Sequence, residues 1–213
     1  FDKIQKEYTE KVKEGTATGS FDTYLKSEMD KQIGYAGSFD GMITEYKGNN
    51  PIYMSAEQKA EAKKYQDIFF SAVLTWKTAN ADKLLTFQGY PENLIEQTIL
   101  TNCKHIILAT DNVTDDAQLS VFARLAMAAA GVPTDRFVVA VSTASLDASD
   151  KQTGFYGTDR ALTEAAYSTT EPSDGYTRAG LAIYNVQNDY YNATNTYQYV
   201  KEAIHIMNPA PKK

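Results

Sequence analysis

Between Phe39 and Lys47 an apolar stretch takes on charge only at its far end: Phe39-Asp40-Gly41-Met42-Ile43-Thr44-Glu45-Tyr46-Lys47. In an extended strand alternate side chains share a face, so Gly41, Ile43, Glu45 and Lys47 form one row. A carboxylate and an ammonium two residues apart can move a proton, hold the hydroxyls of a polar ligand, or pair with each other and close the strand end. Tyr46 between them adds an aromatic face with a hydroxyl. Ile43 can hydrogen-bond nothing, and a lysine, whose ordinary pKa is about 10.4, is a poor proton donor at neutral pH. Of this row, only Glu45 can do acid–base work.

Other polar groups gather where further apolar runs end. They are Gln88 and Tyr90, Asp111 and Asn112, Ser142 and Ser145, and Asn185, Gln187 and Asp189. Amides, hydroxyls, carboxylates and tyrosines read sugar hydroxyls well, but the same residues cap helices and close loops, as Asp111 and Asn112 would do ahead of a helix. The metal-ligating types are sparse. His105 lies in an apolar run, His205 in a helical pattern, and the single Cys103 has no His and Asn constellation around it. No metal site or cofactor is expected.

Positioning these groups requires regular elements, and the chain of 213 residues is long enough to bury a large core as one domain. Apolar residues are 43% and charged ones 23%, an ordinary globular balance. With 27 acids against 21 bases there is no basic face for phosphates, which argues against nucleic acid as a partner. No apolar run is long enough to span a bilayer as a helix.

Phe21, Leu25, Met29 and Ile33 recur at helical spacing behind a Ser20 cap, with Gly34 and Gly37 closing the pattern. The spacing predicts a strand from Ser38 to Tyr46. Ser55-Ala56-Glu57-Gln58 is a capping box opening a long helix. Strands are expected at 83–88, 104–110, 136–141 and 178–186, and helices at about 91–102, from Asp115 or Asp116, at about 160–167 and at about 195–207. Five such strands alternating with helices indicate a parallel sheet, either open and doubly wound or part of an eight-stranded β/α barrel. No Gly-rich phosphate fingerprint follows any strand, which takes away the best support for a nucleotide-binding open sheet.

The Phe39-Asp40-Gly41 entry resembles the fourth barrel strand of glycoside hydrolase family 18, the chitinases and endo-β-N-acetylglucosaminidases, which reads Phe-Asp-Gly-x-Asp-x-Asp-x-Glu. The later acidic places fall here on Ile43, Glu45 and Lys47. The run from Gly180 to Tyr190, with Tyr197 to Pro209 behind it, is similar to the closing unit of a divergent branch found in gut-bacterial glycan-utilisation systems. The resemblance implies a (β/α)8 barrel of which residues 1–209 supply strands four to eight, with 210–213 a loose tail. The first three β/α units, on the order of 100 residues at typical barrel size, would lie outside this chain.

It also implies a family chemistry in which the last Glu protonates the leaving oxygen while the substrate's own N-acetyl oxygen attacks. Lys47 stands where that acid belongs. The expectation is therefore a barrel that binds N-acetylglucosamine-containing glycans without cutting them, through Tyr46, Lys47, Gln88, Tyr90, Asp111, Asn112, Ser142, Asn185, Gln187 and Asp189. An active endoglycosidase using Glu45, or a residue outside this chain, is the alternative. The resemblance further implies export to the bacterial outer-membrane surface or periplasm, a lipid anchor on a segment not in this chain, and contact with other proteins of an outer-membrane glycan-uptake system.

Overall fold

The computed structural model describes residues 2–110, 116–142, 161–170, 178–190 and 197–210. Five strands form one sheet: β1 (Gly41–Tyr46), β2 (Leu84–Gly89), β3 (His105–Leu108), β4 (Phe137–Ser142) and β5 (Gly180–Tyr184). All pairings are parallel, and the spatial order is the sequence order. A doubly wound sheet reverses its strand order at a switch point; this sheet never does. Because right-handed crossovers that always advance in one direction leave their helices on the same side, the order also fixes which face is covered.

The burial pattern agrees. Met42, Tyr46, Leu85, Phe87, Ile106, Leu108, Phe137, Val139, Val141, Leu181 and Ile183 all belong to one core with residues of the helices. Their neighbours of opposite parity do not. Ile43 is 62% exposed and Leu84 54%. The near-continuous apolar character of the strands suggested cover on both faces; among the described residues the helices pack on one face, while on the other Ile43 and Leu84 are exposed and Ala140 is buried.

The long helix α3 (Ala56–Ala79) starts as its sequence dictates: the Gln58 amide donates to Ser55 Oγ at 3.2 Å, and the Ser55 amide donates to Gln58 Oε1 at 2.9 Å. It buries Phe70, Val73 and Trp76 against the sheet. Helix α2 (Phe21–Tyr35) is capped by Ser20 and packs Leu25 and Met29 on α3 through a smaller core. Ahead of it lies α1 (Asp2–Lys13), which was not among the expected elements; none of its residues is fully buried, and Ile4 packs against the smaller core.

The helix expected over 91–102 divides into a short turn, Pro91–Asn93, and α4 (Thr98–Thr101). Between them the Ile95 amide donates to the Gln66 side chain instead of to a helical carbonyl. Helices α5 (Asp116–Ala130), α6 (Ala161–Thr170), α7 (Gln187–Tyr190) and α8 (Gln198–Met207) complete the described chain. Gly131, at φ +62, ends α5 in the left-handed conformation that a glycine C-cap supplies.

Candidate functional site

Register decides which strand-end groups meet. Glu45 pairs with Gln88, Gln88 with Ile107 and Ile107 with Val138, so these side chains form one layer across the open face. Gln88 Nε2 donates to Glu45 Oε1 at 3.1 Å, and Lys47 Nζ lies 3.6 Å from the same oxygen. Glu45 Oε2 has no hydrogen-bond partner among the described residues. The Glu45 side chain is 52% exposed and that of Lys47 33%. Ile43 stands one layer below, level with Thr86 and His105.

The strand end is held from behind. Tyr46 faces the helices: its ring meets Phe70 edge-on with centroids 6.2 Å apart, and its hydroxyl accepts from Gln66 Nε2 at 2.8 Å. Gln66 is 5% exposed and spends its other end on the Ile95 amide at 2.9 Å. Asn93 Nδ2 donates to the Gly48 carbonyl, and the Tyr90 amide to the Tyr46 carbonyl at 3.1 Å. Gly89 sits at φ +139, and a Cβ there would overlap the Tyr46 carbonyl oxygen. Neither Gln66 nor Asn93 was singled out from sequence. A signal for Gln66 existed: it is a polar residue at the apolar spacing of Phe70 and Val73 on α3. Asn93 carried none beyond its place in a strand-end turn.

Beside this strand end, between α1, α2 and α3, opens a cavity of about 440 Å³. Glu45, Lys47 and Asn49 are among its lining residues, and Met29, Tyr65 and Phe69 contribute apolar wall. Near the end of β2, Glu92 has a buried Oε2 without a hydrogen-bond partner. Burial pushes its carboxyl above the ordinary range, with its own backbone amide opposing the shift.

The remaining candidates scatter. Asp189 is fully buried, and its two oxygens accept from the Tyr199 and Val200 amides at 3.3 and 2.8 Å. It caps α8 and presents no carboxylate to a ligand. Gln187 begins α7 and is exposed, and Asn185 follows β5 with φ +56. Ser142 ends β4 opposite Tyr184. Asp111, Asn112 and Ser145 lie outside the described residues. The group brought into direct contact is thus Glu45, Lys47 and Gln88, with Tyr90 at the neighbouring strand exit. Tyr46 supports that group from the opposite face. No cluster of three His, Cys, Asp or Glu residues among the described ones is placed to hold a metal ion.

The family model of glycoside hydrolase family 18, BT1044-like, matches residues 2–206. The chain belongs to this family. A solved structure described as a selenomethionine form of BT1044 with a glutamate-to-glutamine substitution superposes with a TM-score of 0.60 at 14% identity. The match covers 96% of this chain and 64% of that one, so the chain spans less than two thirds of the length of its structural neighbour. No curated protein matches the chain. The described helices include none long and apolar enough to cross a membrane.

Proposed function

We propose that this family 18 protein binds N-acetylglucosamine-containing glycans at the C-terminal end of its sheet and does not hydrolyse them. The observation that carries the reading is the row on the open face of β1. In the family's motif that row would present three acidic groups; here it presents Ile43, Glu45 and Lys47, with Glu45 already engaged by Lys47 and Gln88. A glycosidic leaving oxygen needs a carboxylic acid at the end of the row, and an ammonium there both fails to release its proton at neutral pH and opposes a cation-like transition state. Hydroxyl recognition asks less: mixed donors and acceptors at a strand end suffice.

In this reading β1 to β5 are strands four to eight of a (β/α)8 barrel, and residues 1–209 are part of a single barrel domain. The unreversed strand order, the uncovered face and the longer structural neighbour support that numbering. Glu45, Lys47, Gln88 and Tyr90 form the ligand-contacting set, with Asn185 and Gln187 at the far end of the sheet. We place the protein, as its likeness to gut-bacterial glycan-utilisation proteins suggests, on the outer-membrane surface or in the periplasm, lipid-anchored and working beside other uptake proteins.

Incubation with a chitobiose-core glycan tests the function. The expected result is saturable binding with no released product, weakened in Glu45→Gln. Product release by the wild type that Glu45→Gln abolishes would overturn the binding-only reading.

A further inference from the structure

Lys47 and Gln88 both engage Oε1 of Glu45, and this leaves one acceptor oxygen on each member of the hydrogen-bonded Glu45–Gln88 pair. Glu45 Oε2 and Gln88 Oε1 have no hydrogen-bond partner among the described residues, both belong to planar groups, and both can only accept. Resting on the glycan reading, we infer that these two oxygens read one vicinal pair of sugar hydroxyls, with Gln88 as the specificity-determining residue. The charge balance selects that ligand. A cationic group would meet the Lys47 ammonium 3.6 Å from the carboxylate, and an anionic group would meet two acceptors, one of them charged. A neutral double donor suits both oxygens.

Gln88 does two jobs in this arrangement. Its amide N–H fixes the Glu45 carboxylate, and its amide oxygen completes the acceptor pair. The two residues are direct register partners on adjacent strands, so rigid backbone sets their separation. In an N-acetylglucosamine glycoside the vicinal pair is the 3- and 4-hydroxyls, since position 2 carries the amide, so the residue read is a non-reducing terminal one whose O4 is free.

The test is an NMR titration of the protein with the methyl glycoside of N-acetylglucosamine and with its 3-deoxy and 4-deoxy analogues. Wild type is expected to lose at least about tenfold in affinity for each analogue, the scale of a hydrogen bond to a charged group or its partner. In Gln88→Ala the parent glycoside weakens while the gap to the analogues closes, which a merely structural role would not produce. Equal wild-type affinity for all three glycosides overturns the inference and leaves the glycan reading standing. A gap that persists in Gln88→Ala overturns the role of Gln88. Failure of the parent glycoside to bind overturns this inference, and failure of a chitobiose-core glycan, whose N-acetylglucosamine units have no free O4, to bind as well overturns the glycan reading.

Discussion

Two side chains near the sheet end illustrate what burial does to an ionisable group. The Glu92 carboxyl is held above its ordinary range by desolvation, with one oxygen buried and unbonded. A free glutamate titrates near pH 4.3. Below that value both folded and unfolded chains carry the proton and the group is neutral to stability. As pH rises the unfolded chain ionises first, so the unfolded state binds fewer protons and stability falls until the raised folded value is passed. Glu92→Gln removes the titration, and its thermal midpoint should exceed that of wild type at pH 7, with the difference vanishing near pH 4. A variant less stable than wild type at pH 7 would refute the unpaired-carboxyl account. Cys103 shows the same physics in a thiol. It is buried, donates to the Ile99 carbonyl at 3.3 Å, and burial raises it to about 12. Its thiolate is scarce at pH 8. Iodoacetamide labelling at that pH should therefore follow global unfolding, with a denaturant dependence that matches circular dichroism.

At the scale of elements, much was legible because local chemistry and tertiary packing agree. Ser55 and Gln58 announced the start of α3, and the structure contains both reciprocal bonds. Ser55→Ala should cost about 1 kcal/mol, visible as a lower urea midpoint with unchanged slope. The five strands were legible as apolar runs: β2 and β4 keep the expected length one residue further along, and β1, β3 and β5 are shorter than their runs suggested. What escaped was structure set by distant contacts. Helix α1 was not foreseen although Ile4, Tyr8 and Val12 recur at helical spacing, because it is short and charged and leaves none of its residues fully buried, Ile4 and Tyr8 packing only at the edge of the smaller core. The break ahead of α4 depends on Gln66, 29 residues earlier in sequence. Tyr46 and Asp189 were legible as polar groups near strand ends but not as a strut and a helix cap, since those roles need Gln66 and α8 in place. Gly89 is another case: only the fold shows why a side chain cannot stand beside the Tyr46 carbonyl. Gly89→Ala combines a strained φ with that overlap and should destabilise by about 1–3 kcal/mol or more, measured in the same urea titration.

For the whole molecule, the consequence of an unreversed parallel order is that, among the described residues, the helices and the main core lie on one face of the sheet. The core under the helices is continuous from Phe70 to Ala203. Across the sheet, Ile43 and Leu84 are mostly exposed, His105 Nδ1 is buried without a hydrogen-bond partner, and among the described residues β1 and β5 each pair on one side only. Each exposed apolar group resists hydration by a modest amount, but side by side with an unpaired β1 edge they offer a second chain both backbone partners and apolar contact. The 213-residue chain by itself is therefore expected to self-associate through this face. Ile43→Lys together with Leu84→Lys should suppress that association without lowering stability, because neither side chain contributes to the buried core. Light scattering coupled to gel filtration across a concentration series checks the first claim and thermal melts the second. A wild type that stays monomeric at high concentration, or a double variant that unfolds, would show that the face is covered by some other arrangement of the chain. The same surface also bounds the candidate site. Glu45, Lys47 and Gln88 stand on it, so a second chain settling there would compete with a glycan, and the double lysine variant should bind the chitobiose-core glycan at least as well as wild type at concentrations where the latter associates.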